Sequence, residues 1–174
     1  VPLAAPEWKA VEASIHPDDR VAYAAAWTGL LTGSLDARSA DGSGGDITVT
    51  GHRIALDPGA RLDASGAGNG GRIRVGGGWQ GQDPSVRHAQ QVQVAADVGL
   101  RADAGQAAGQ AGHGGEVVVW SDESTRFAGR LSARGGAAGG DGGRIEVSGK
   151  AELAYAGRAD ARAPHGRTGD LLLD

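Results

Sequence analysis

Most of the chain is a series of short runs in which aliphatic and polar residues alternate, each run introduced by paired glycines. The pattern is two glycines, a polar or charged residue, an aliphatic, any residue, and a second aliphatic. It reads Gly44-Gly45-Asp46-Ile47-Thr48-Val49, then Gly70-Gly71-Arg72-Ile73-Arg74-Val75. It returns at Gly114-Gly115-Glu116-Val117-Val118-Val119 and Gly142-Gly143-Arg144-Ile145-Glu146-Val147, and ends in a looser copy, Thr168-Gly169-Asp170-Leu171-Leu172-Leu173. The copies are 26, 44, 28 and 26 residues apart. A second element keeps the same phase at Leu35, Leu62, Leu100, Leu131 and Ala159. A third lies between them, at Ile54-Ala55-Leu56, Val92-Gln93-Val94, Thr125-Arg126-Phe127 and Leu153-Ala154-Tyr155. Alternation with period two, broken by Gly, Asp, Asn or Pro, predicts three short strands per unit.

Strands this short bury no face alone and need stacked neighbours. Three strands in about 27 residues fit a parallel β-helix better than a leucine-rich repeat, which is shorter, or a propeller blade of about 40 residues. The fold class expected from the residues is therefore all-β, a parallel β-helix of about five coils with three short strands per coil. Ile47, Ile73, Val117, Ile145 and Leu171 would then form one inward column. Asp46, Arg72, Glu116, Arg144 and Asp170 would form an outward column of alternating charge, and opposite charges on neighbouring strands stabilise by a few tenths of a kcal/mol each.

The 44-residue interval carries two insertions. From Val75 to Val92 the chain takes 17 residues where other units take 5 or 6, which marks a loop over residues 76–91; a smaller extension covers 104–113. Insertions in repeat folds map to surface loops, often on a binding face. Trp79, Gln80 and His88 on the longer loop are thus the candidate ligand contacts, with an indole able to stack on a sugar ring. A tryptophan folded back over an exposed edge explains the same residues. Residues 1–33 carry no clear repeat. Pro6-Glu7-Trp8 and His16-Pro17-Asp18-Asp19 resemble helix starts, and Val21–Trp27 continues the second as a short helix. This segment is read as a helical cap or an irregular first coil, with the repeats at 34–174. Leu171–Leu173 stop without a cap, so later sequence or a second copy would cover them.

Composition sharpens this picture. Glycine and alanine number 32 each among 174 residues, aromatics make up 4%, and Cys and Met are absent. Small corners and a narrow aliphatic interior account for that bias better than an ordinary globule, which buries large aromatics. Without cysteine there is no disulfide frame, thiolate metal site or cysteine catalysis, and a chain free of disulfides suits passage through a secretion pore. The lack of an initiator methionine suggests a processed product or an excised piece. A net charge of -4 with mixed signs gives no footprint for nucleic acid, and no run approaches the roughly 20 apolar residues of a membrane-spanning helix. The five histidines are scattered away from metal-ligand spacing, so no metal or cofactor is expected. Asp36, Asp63, Asp103 and Asp160 recur too regularly to mark one active site and read as turn formers. No enzymatic activity is expected.

Residues 114–129, 142–150 and 166–174 closely resemble segments of large bacterial exoproteins of the filamentous haemagglutinin type, as does the Trp79-Gln80-Gly81 loop start. The resemblance covers about residues 41–174. It implies a right-handed β-helical fibre, secreted to the surface of a Gram-negative bacterium with the help of an outer-membrane secretion partner. The family's amino-terminal secretion domain is not recognisable here, so the chain reads as shaft. Its expected role is a structural or adhesive segment of a surface adhesin that meets a host or bacterial cell-surface protein or glycan, with self-association end to end into filaments. The alternative is a carbohydrate-binding or carbohydrate-cleaving β-helix that uses the 76–91 loop.

Overall fold

The computed structural model describes residues 21–174, with residues 21–28 as backbone alone. The helix starts expected at Pro6 and His16 lie outside the described residues. In chain order the strands are β1 (Val21–Leu31), β2 (Ser34–Asp36), β3 (Asp46–Leu56), β4 (Arg61–Asp63), β5 (Arg72–Val75), β6 (Gln91–Val94) and β7 (Gly99–Arg101). They continue as β8 (Glu116–Ser121), β9 (Ser124–Phe127), β10 (Arg130–Ser132), β11 (Arg144–Gly149), β12 (Glu152–Tyr155), β13 (Arg158–Asp160) and β14 (Asp170–Leu173). The described residues contain one short 3-10 turn, Trp79–Gly81, and no α-helix.

All pairings between these strands are parallel, and two sheets result. The larger has nine strands along the path β12-β9-β6-β3-β5-β8-β11-β14, with β1 paired to β3; the smaller has five, in the order β13-β10-β7-β4-β2. The larger sheet forks at β3. Asp46–Val49 pair with β5, Arg53–Leu56 pair with β6, and β1 follows the other edge of β3 along its length.

Two expectations are corrected by this topology. The right-handed β-helix of about five coils, with three separate strands per coil, is not what the pairing gives. The first and middle strand positions run unbroken through β3 and so belong to one sheet, leaving only the third set to form a second. Nothing between Val49 and Ile54 is a strong turn former except Gly51, so the chain stays extended there. The helix expected over Val21–Trp27 is a strand instead. Its alanines favour a helix by a few tenths of a kcal/mol per residue, but parallel pairing with β3, from Val21 opposite Asp46 to Leu31 opposite Leu56, gives partners to the backbone groups on one edge of the segment.

Strand register follows the sequence repeat. Ile47, Ile73, Val117, Ile145 and Leu171 stand opposite one another in turn. The first four are fully buried, while Leu171 on the terminal strand is 48% exposed. The leucines of the small sheet, Leu35, Leu62, Leu100 and Leu131, pack into the same core. Each such buried side chain contributes roughly 1.5–3 kcal/mol. Among the described residues Phe127 is the one large aromatic wholly inside, stacked on Tyr155 at 5.7 Å. The predicted charge column forms too: Arg72 Nε lies 3.9 Å from Asp46 and 3.5 Å from Glu116, and Glu116 also pairs with Arg144.

The second glycine of each pair is required by close approach. A Cβ at Gly71, Gly115, Gly143 or Gly169 would fall 1.8–2.0 Å from the carbonyl oxygen of the equivalent glycine one unit earlier. No side chain fits there without parting the sheets.

Candidate functional site

The outward face of β5, β8 and β11 carries the long insertion. Facing away from the core in successive units are Thr48, Arg74, Val118 and Glu146. A valine and a glutamate at outward positions would ordinarily be solvated, yet both are almost wholly buried. Segment 76–86 lies across them as a strap.

Local sequence shapes the strap. Gly76, with φ of 75°, turns the chain out of β5, and its N–H donates to the Val49 carbonyl. Gly77 and Gly81 let the backbone rest on the Trp120 indole, since a Cβ at either would lie 2.6 Å from a ring carbon. Gly81 closes the 3-10 turn, in which Gln80 takes a left-handed φ of 52°. For a residue with a side chain that conformation costs on the order of 1 kcal/mol.

Three attachments hold the strap, through Gln80, Asp83 and Trp79. The N–H of Gln80 donates to Glu146 Oε2 at 2.7 Å, and Ser148 Oγ donates to Oε1 at 2.7 Å. Arg74 reaches Asp83 at 2.9 Å and Thr48 at 3.1 Å. The Arg144 guanidinium lies over the Trp79 ring, 4.6 Å from its centroid. At the far end of the insertion, His88 Nδ1 is 3.0 Å from Asp122 Oδ1, an oxygen that also accepts the Trp120 indole N–H at 3.2 Å.

Electrostatics differ along this face. Burial pushes the Glu146 carboxyl above its ordinary range; hydrogen bonds from Gln80 and Ser148 pull it back, and Asp174 and Glu116 push it up again. Asp83 is held below its ordinary range, first by the Ser85 hydroxyl and backbone N–H, and then by Arg74.

Of the residues singled out from the sequence, Trp79 and Gln80 share the 3-10 turn above Arg144 and Glu146. His88 belongs to a separate contact with Trp120 and Asp122. Trp79 and His88 are half-buried and Gln80 is exposed. Sequence reasoning missed Arg74, Trp120, Asp122, Arg144 and Glu146. One signal was present: an outward Val118 next to an unusually long insertion needs a cover. The recurrent aspartates close turns. Asp36, Asp63 and Asp160 each accept the backbone N–H two residues on, whereas Asp103 accepts the N–H of Arg134 from the next unit. As a whole this face is an anchored cover, built from hydrogen bonds and ring contacts within the chain. Among the described residues no group of three or more His, Cys, Asp or Glu could hold a metal ion.

No family model matches the sequence, and no curated protein matches it. Among solved structures, the chain is similar to the crystal structure of the HMW1 secretion domain from Haemophilus influenzae. The TM-score is 0.68 at 23% identity, over 88% of this chain and 39% of that one. At that identity the likeness establishes the fold. This chain spans about two fifths of the length of the solved chain. The neighbour is a secretion domain, whereas the sequence alone reads as shaft.

Proposed function

We propose that this chain is a non-enzymatic export segment of a bacterial exoprotein of the two-partner secretion type, handed to an outer-membrane partner and folded outside the cell. The observation that carries this reading is the shared fold over most of the chain with a secretion domain. Two features of the chain agree with it. There is no cysteine to lock the chain before it threads a pore. Parallel pairing between units 26 to 44 residues apart is non-local and forms slowly, which leaves time for an unfolded chain to cross. In the assembled exoprotein it serves as a structural segment of a surface adhesin.

Co-expression of the chain, directed to the periplasm, with an outer-membrane transporter of this class tests the proposal. Transporter-dependent appearance of intact chain in the medium is the expected result. Equal periplasmic retention with and without every transporter tried would overturn it.

A further inference from the structure

The outward face of the five-stranded sheet forms an open groove of about 580 Å³. Register places Ser34, Arg61, Gly99, Arg130 and Arg158 in one row along it, and Asp36, Asp63, Arg101, Ser132 and Asp160 in a second.

The second row is largely neutralised by arginines and aspartates close by in the chain. Asp36 takes the Arg38 guanidinium through both carboxylate oxygens, and Asp160 does the same with Arg162. Arg101 pairs with the buried Asp103 at 3.1 Å. These carboxylates are thus committed away from the first row. In that row Arg61 donates to the backbone carbonyls of Ala60 and Asp97 and lies over Gly99, where a Cβ would meet its Cδ at 3.5 Å.

Arg130 and Arg158 differ from the other paired arginines. They stand directly opposite each other on neighbouring parallel strands, about 4.8 Å apart at the backbone. Both are exposed. Among the described residues neither makes an ion pair or a side-chain hydrogen bond. Like charges directly opposite on a sheet repel, and no carboxylate lies between these two. Two adjacent guanidinium forks call for two negative charges and at least three acceptor oxygens. One carboxylate fills a single fork, whereas a phosphate monoester supplies both the charge and the oxygens.

We propose that Arg130 and Arg158 form a clamp for a phosphomonoester group, with the groove on the Arg61 side receiving the rest of the molecule. The phosphate could come from a soluble ester or from a lipid headgroup, and the experiment separates these sources.

The full chain is titrated with inorganic phosphate, with a soluble sugar phosphomonoester, and with phosphatidylcholine vesicles that do or do not contain phosphatidate. Backbone amide shifts of β10 and β13 are followed by NMR for the soluble ligands, and co-sedimentation is followed for vesicles. The expected result is saturable binding, weakened about tenfold or more in R130Q/R158Q and retained in R53Q/R126Q, which removes two arginines of the other sheet. Saturation by the soluble ester assigns a soluble source. Saturation by phosphatidate vesicles alone, with the same arginine dependence, assigns a headgroup. Absence of saturable binding to any probe overturns the proposal, as does equal binding by R130Q/R158Q and the unaltered chain. Circular dichroism of both variants confirms that they fold.

Discussion

The outward faces of β5-β8-β11 and of β4-β7-β10 are made by the same repeat units, yet one is covered and the other open. On the first, a single insertion converts outward positions into interior ones: Val118 and Glu146 lose their water, and Trp120 becomes 92% buried by the loop and its neighbours. On the second no insertion intervenes, and arginines and aspartates line a groove. The contrast teaches that the repeat sets which way a side chain points, while a non-repeating loop decides whether that direction leads to solvent.

The sharpest way to break the comparison is to place the same charge on both faces. Val118→Asp buries an unpaired carboxylate beneath the strap or forces the strap off, and is expected to cost about 3 kcal/mol. Arg130→Asp on the open face should change stability by no more than about 0.5 kcal/mol. Urea denaturation of the two variants reads the difference; equal midpoints would show that the strap does not seal its face.

Acidification should move the faces in opposite directions. Glu146 titrates above its ordinary range because of burial, so the folded chain holds that proton more tightly than the unfolded chain. Its contribution is fully present below the unfolded value and is lost as pH rises through the folded one. Asp36 and Asp160 titrate below their ordinary range, chiefly because Arg38 and Arg162 bond them. Their contribution is present above the unfolded value and fades as pH falls through the folded one. Thermal melts between neutral and acidic pH should therefore show that Glu146→Gln removes a gain on acidification, whereas Asp160→Asn removes a loss. Parallel melting curves for both variants would refute the assignment.

The smallest effect concerns the open face alone. Arg158→Gln relieves repulsion from Arg130 and is expected to stabilise by a few tenths of a kcal/mol at low salt, with the gain vanishing at high salt. A chemical-denaturation series over ionic strength measures it.

Much of this site was beyond the reach of sequence reasoning for a stated reason. The insertion and its Trp79, Gln80 and His88 were visible as a break in spacing. Their partners Arg144, Glu146 and Asp122 come from positions 34 to 66 residues away, and nothing local marks them except an outward valine that needs a lid. The groove was hidden differently. Its row of arginines appears only when Arg61, Arg130 and Arg158 are aligned by register, and each looks like an isolated surface charge in the chain.

By itself, the sequence determined the register and the faces: Ile73 lies opposite Ile47 and Val117, and Arg72 sits between Asp46 and Glu116. Alternation with period two fixes which side chains share a face, and the paired glycines fix where units can approach. Tertiary structure decided how the faces close. An unbroken β3 joined two strand sets into one forked sheet, and β1 became a strand despite its alanines, because pairing along a neighbour outweighs a local preference of tenths of a kcal/mol per residue. Partners brought together across dozens of residues leave no local trace; only the folded chain shows them in contact.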